Sequence, residues 1–274
     1  MKMFFRVIFI IGLIFAMIGV AVYLLDRRIA TVLERAPSEN VDYIAAKHFT
    51  FTDQSSLRGW EEKLLARKKT NYTVTQFKGK NCIKAESDSS ASGLITKLKL
   101  PYDENTFISW DWFVERFPDK KAPEVLNEKK EFDFAGQFYV IFYSRFFLKN
   151  KAIQYVWANN LPVGTYDRSP FIGNVKIYVL ESGPADDWKH EERNLRKDFK
   201  LLFGEEPEED VDAIGFMTDS DSTNSTAVTY YADPVLGVMD LSGEGKQPEK
   251  KREGSTFSNK FLSILSGKNR RHEK

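Results

Sequence analysis

From Phe49 to Tyr231 the apolar residues fall in short runs at alternate positions, and this period of two constrains the fold more than any other feature of the chain. Leu94, Thr96, Leu98 and Leu100 alternate with Ile95, Lys97 and Lys99, which predicts a strand with one buried face. Phe107–Val114 is a second such run. Residues Phe132–Phe147 predict a long central strand broken at Gly136, with Ile153–Trp157 as its hairpin neighbour. Val175–Leu180, Val211–Met217 and Ala227–Tyr231 complete the set. Many short strands between polar turns describe a mostly β chain folded as an antiparallel β-sandwich, of jelly-roll or galactose-binding-like type, and not an α/β crossover fold. One helix interrupts them: Trp188, Leu195, Phe199 and Leu202 share a stripe over Trp188–Phe203, and Gly204 is placed to end it.

The N-terminus follows a different rule. Val7–Leu25 runs 19 residues without a charge, about 28 Å as a helix, which matches the hydrocarbon core of a bilayer. Residues 4–25 therefore read as a transmembrane anchor. Lys2 and Arg6 precede it, favouring an inside N-terminus and a domain in the periplasm or outside the cell. Gly19-Val20-Ala21 leaves open the alternative of a cleaved signal peptide. Residues 26–46 form a polar connector, 47–241 the sandwich domain, and 242–274 a basic tail of disordered composition.

Charge narrows the partners. The total of +1 combines +2 in the first 25 residues and +5 in the last 33, which leaves −6 for the body. Nucleic-acid binding needs a concentrated basic surface, so an acidic body excludes that class and leaves a membrane, a glycan or an envelope protein. One cysteine, Cys82, rules out an intrachain disulfide and any multi-cysteine metal site, and three histidines give little for a histidine-rich one.

The densest polar cluster is Met217–Asn224, directly after an apolar run. Asp219 and Asp221 put carboxylates on one side of the chain, with Thr223 beside them, a set suited to a hard cation such as calcium or to sugar hydroxyls. The central Gly and terminal Glu of a calcium-loop consensus are missing, and an Asx-turn, in which such carboxylates bind their own backbone, is the alternative. Trp110 and Trp112 share one strand face with Ile108 and Val114, which predicts core. Trp157 ends a strand beside Asn159 and is expected to be exposed for ring stacking. Asp133, Gln137 and Asp198 are further polar candidates for ligand contact. No catalytic residue is assigned, and no cofactor is implied apart from calcium.

In order along the chain stand Ser109-Trp110-Asp111-Trp112, Asp133-Phe134-Ala135 leading into Gly136–Val140, and Tyr155–Ala158. Arg193-Asn194, Asp198, Phe203–Glu205 and Ile214–Thr223 follow. The chain resembles the bacterial family DUF3047 in this series, over roughly Phe49–Pro234. The resemblance implies an exported β-sandwich and carries no activity. Gln137 stands where that family usually has Arg, which weakens any anionic-ligand role there, and Ser222 stands where Asn is common. Three functions follow: a membrane-tethered, non-catalytic module binding a glycan or envelope component; a carboxylate-based enzyme on envelope polysaccharide; or a structural or assembly protein.

Overall fold

The computed structural model describes residues 43–100, 105–142, 150–207 and 210–239. The anchor segment, the tail from 240 and most of the connector lie outside the described residues, among which no helix is long and apolar enough to cross a membrane.

In chain order the strands are β1 (Tyr43–His48), β2 (Trp60–Leu64), β3 (Asn71–Phe77), β4 (Lys80–Asp88), β5 (Ala91–Leu100) and β6 (Thr106–Arg116). They continue with β7 (Gly136–Phe142), β8 (Lys151–Ala158), β9 (Tyr166–Arg168), β10 (Val175–Ser182) and β11 (Lys189–Asn194). Helix α1 (Leu195–Phe203), β12 (Val211–Asp219) and β13 (Thr226–Met239) follow. One sheet has the order β11-β6-β13-β4-β3, with β1 also paired to β13; the other runs β2-β5-β12-β7-β8-β10-β9. Every pairing is antiparallel except β8 with β10. This is the mostly antiparallel two-sheet arrangement that the alternation predicts.

Alternation decides what fills the space between the sheets. On β6, Ile108, Trp110, Trp112 and Val114 all face inward and are buried. Trp110 stacks on Phe138 of β7 at 4.2 Å between ring centroids and 12° between planes. Trp112 meets Trp157 of β8 at 5.6 Å, and Phe216 of β12 meets Tyr231 of β13 at 4.6 Å. One glycine admits this layer, and a second fits the outer face of β12 against Ile95. A Cβ on Gly136 would lie 3.1 Å from Trp157 Cβ and 3.3 Å from the Trp112 ring. Gly215 is more tightly boxed, 2.9 Å from Ile95 Cγ1 and 3.1 Å from the Leu94 carbonyl.

Four expectations change. The helix begins at Leu195, not Trp188, because Lys189–Asn194 instead supplies the outer hydrogen-bonding partner of β6. Asn194 then caps α1 by accepting from the Lys197 amide at 2.9 Å, and Gly204 ends it at φ 74°. The connector stops at Asp42, since Tyr43–His48 pairs with β13. The central strand starts at Gly136; Phe132 and Phe134 pack outside it against Val156, Ile177 and Val179, and residues 143–147 lie outside the described residues. The parallel β8–β10 pairing has no counterpart in the sequence reading.

Gly215→Ala is expected to lower stability by about 1–3 kcal/mol, because both the side chain and the backbone it meets are held by sheet packing. An open strand site would instead gain about 0.5–1 kcal/mol from the same change. The sign of the shift in the urea midpoint, at unchanged m-value, separates the two.

Candidate cation and ligand corner

At one end of the sandwich the β6–β7 connection meets the β12–β13 turn. Asp133 and Asp219 hold the two segments together reciprocally. The Asp133 carboxylate accepts from the Ser222 amide at 3.1 Å and the Thr223 amide at 2.6 Å, and from the Thr223 hydroxyl at 2.7 Å. Asp219 Oδ1 accepts from the Phe134 amide at 2.7 Å and from Gln137 Nε2 at 2.8 Å. Each carboxylate therefore caps amides of the opposite segment, which replaces the self-contained Asx-turn with a clamp between distant parts of the chain.

Asp221 opens the turn and is exposed, whereas Asp133 is fully buried and Asp219 is 5% exposed. One oxygen from each of the three lies within 4.8 Å of the others. Burial holds the Asp219 carboxyl well above the usual carboxylate range, and the Asp133 charge pushes it further. Burial and Asp133 raise Asp221 in the same direction. Lys120, itself paired with buried Glu124, is the nearby cation that offsets part of this charge. Gln137 offers only a neutral amide. Its Nε2 donates to the Phe134 carbonyl and to Asp219, while its Oε1 accepts from Tyr139 at 2.9 Å and Gln154 at 2.8 Å, so its hydrogen-bonding capacity is filled internally. Three anions this close need a bound proton or a cation, and oxygen ligands of this kind suit a hard divalent ion. Asp133 joins Asp219 and Asp221 in the set; its place at the start of the Asp133-Phe134-Ala135 motif is the only hint of this in the sequence.

The other sequence candidates sit elsewhere. Trp157 is not exposed: it is fully buried, and its indole N–H donates to the Gly183 carbonyl at 2.8 Å. The β10–β11 segment, which sequence spacing does not bring near it, closes over the strand end. Asn159 is partly buried and donates to the Pro118 carbonyl at 2.9 Å. Asp198 is an internal strut that accepts from Tyr155 at 2.7 Å and from Arg193 at 2.8 and 2.6 Å. Burial opposes the Arg193 charge, but the Asp198 contact outweighs it and keeps the guanidinium protonated. Trp110 and Trp112 are core, as their parity predicts.

The sequence reading missed an aromatic group on the outer face of the β6–β13–β4–β3 sheet. Phe77 stacks on Tyr230 at 3.8 Å and 8°, beside Phe113 and the partly buried Trp188. Charged groups edge this face: Lys80 pairs with Asp111 at 2.6 Å, and Tyr230 donates to Glu115 at 2.6 Å. Phe113 and Tyr230 lie at the opposite parity to the inward Trp112 and Tyr231, which is the signal that was available.

A two-sheet β-sandwich with an acidic corner between its loops is the class that this fold and geometry define. The family model described as "Protein of unknown function (DUF3047)" matches residues 58–235, and the chain belongs to that family. Among solved structures it is similar to the family 11 carbohydrate-binding module of the cellulosomal cellulase Lic26A-Cel5E of Clostridium thermocellum. That match has 13% identity and a TM-score of 0.38, covering 72% of this chain and 96% of that one. It is also similar to the CBM22-1 xylan-binding domain of Xyn10C from Paenibacillus barcinonensis, at 12% identity and a TM-score of 0.36, covering 74% and 99%. No curated protein matches the chain. Identities this low leave the functional reading to the chain's own residues.

Asp219 gives a pH signature in metal-free protein. Below its unfolded value of 3.8 the carboxyl is protonated in both states and costs nothing. Above that, the unfolded chain ionises while the folded chain keeps the proton, so this group lowers stability progressively until its raised folded pKa is reached. Denaturation in chelator is expected to show Asp219→Asn gaining on the parent as pH rises from about 4. A constant difference across that range removes the assignment.

Proposed function

We propose that this protein is a membrane-tethered, non-catalytic recognition module, held outside the cytoplasm by Val7–Leu25, and that it binds a glycan of the cell envelope through a calcium-type cation at the Asp133–Asp219–Asp221 corner. The observation that carries the reading is the graded burial of that corner. Asp133 and Asp219 are buried and fixed by backbone amides, while Asp221 faces solvent. A hard cation held from the buried side takes six to eight oxygens, so its solvent side retains positions for neighbouring sugar hydroxyls. The aromatic outer face around Phe77 and Trp188 supplies rings and hydrogen-bonding side chains of the kind that also suit a sugar.

Carboxylate catalysis fits less well. Glycoside cleavage needs two carboxylates about 5–10 Å apart across a bond, one of them free to move a proton. The oxygens that Asp133, Asp219 and Asp221 offer one another lie within 4.8 Å, closer than that span, and Asp198 is committed to Arg193 and Tyr155.

The test is calorimetry with calcium on the detergent-solubilised full chain, followed by a glycan array with calcium or with chelator. The expected Kd is about 10⁻⁴ to 10⁻³ M, the range of extracellular modules. At 10 mM calcium that affinity stabilises the domain by about 1.4–2.7 kcal/mol. Asp133→Asn and Asp221→Asn are each expected to weaken calcium at least tenfold, and Asp221→Asn to remove calcium-dependent glycan signal while the fold is kept. Calcium binding without any glycan signal sinks the ligand assignment, and absence of both sinks the whole reading.

A further inference from the structure

The β2–β3 turn combines two features that the fold does not use. Leu64 and Leu65 are adjacent and 53% and 65% exposed, although both belong to the most readily buried residue types. Arg67, Lys68 and Lys69 follow after Ala66 and are all exposed, and no acidic residue occurs from Lys63 to Thr70. Lys69 pairs with Glu62 at 2.8 Å, Lys68 reaches Asp88 only at 3.7 Å with both side chains largely in solvent, and Arg67 has no carboxylate partner among the described residues.

The turn is a held shape. The amides of Leu65 and Ala66 both donate to the Ala91 carbonyl, at 3.0 and 3.1 Å, and the Ala91 amide donates to the Lys68 carbonyl at 3.2 Å. Behind it, the Thr70 hydroxyl donates to the Thr218 carbonyl at 2.8 Å and its amide to Ser92 Oγ at 2.9 Å. Protecting β2 as an edge strand accounts for the lysines but not for two leucines left in water. A polyanion accounts for the cations alone. An anionic bilayer surface accounts for both, because its headgroups attract the three cations while the acyl boundary takes the leucines.

We propose that the Leu64–Lys69 turn is a docking surface for an anionic lipid bilayer. The proposal is independent of the cation corner and of the glycan. The full chain is first incorporated in nanodiscs of neutral lipid, which occupy the N-terminal apolar run, and vesicles are then added, either neutral or with three in ten lipids anionic. An environment-sensitive fluorophore is placed at Leu65→Cys, with Leu201→Cys, 47% exposed on α1, as control. The native thiol stays unlabelled because Cys82 is fully buried and its thiol is pushed up to about 11.

The expected result is co-sedimentation with anionic vesicles only and a blue shift at position 65 but not at 201, both reversed by high salt. Each cation near the surface contributes about fivefold, so Arg67→Gln/Lys68→Gln/Lys69→Gln is expected to weaken partitioning roughly a hundredfold. Leu64→Ser/Leu65→Ser, followed without a fluorophore, is expected to reduce co-sedimentation with anionic vesicles at least tenfold while near-ultraviolet circular dichroism is unchanged. Co-sedimentation without a shift at position 65, or equal binding to heparin with no insertion, overturns the proposal. A chain that is not retained in nanodiscs counts against the tether and leaves the vesicle response to decide the docking.

Discussion

The inter-sheet aromatic layer is the constraint on which the rest of the molecule depends. A single strand, β6, presents Trp110 and Trp112 to Phe138, Tyr155 and Trp157, so one run of alternating residues sets both the spacing and the register of the two sheets. Rings of this size leave no room beside them, which is why Gly136 opens β7 where it faces Trp112 and Trp157. Because that position is fixed, so is the chain just before it. Ala135 offers its carbonyl to the Thr218 and Thr229 hydroxyls, each at 2.7 Å, and the Gln137 amide donates to the Tyr231 hydroxyl at 3.1 Å. The acidic corner is thus positioned by the core: Asp133 lies two residues before Ala135, and Asp219 directly after Thr218.

Parity explains how much of this was legible in the sequence. A period of two tells which residues share a face, so the two-sheet sandwich and the inward placement of Trp110 and Trp112 could be read from spacing alone. The Gly204 stop on α1 was equally local. What could not be read were contacts made by segments far apart in the chain. Trp157 looks free at the end of its strand, and its burial depends on Gly183 returning 26 residues later. Lys189–Asn194 carries charges on nearly every residue and resembles a helix start, but the open edge of β6 takes it as a strand. The apparent surface candidate Asp198 finds Arg193 five residues back, and that pair turns inward towards Tyr155.

The same limit applies to the candidate site. Asp219 and Asp221 were visible as a cluster because they are two residues apart. Asp133 lies 86 residues before Asp219, and only the fold brings it into the set. Its amide partners, Ser222 and Thr223, directly follow the exposed Asp221, so the buried carboxylate organises the loop that presents the exposed one. This is a reason for the corner to be acidic that a surface turn does not need: an Asx-turn uses one carboxylate locally, whereas here the buried Asp133 charge is placed where it raises the cost of ionising Asp219.

One end of the sandwich therefore carries opposite charges in separate compartments. The acidic oxygens lie in the gap between the β6–β7 connection and the β12–β13 turn; the basic side chains stand in solvent on the β2–β3 turn, joined to the same end through Ala91, which pairs with Asp219 across β5 and β12. A body with a net charge of −6 would repel an anionic surface if its charges acted as one. They do not act as one, because exposed charges more than about 8–10 Å apart are largely screened at physiological ionic strength. Each patch then meets its partner through its own local field. The carboxylates nearest the basic turn are Glu62, beside Lys69, and Asp88, beside Lys68, so the charge state of the acidic corner is not what sets the field at the turn.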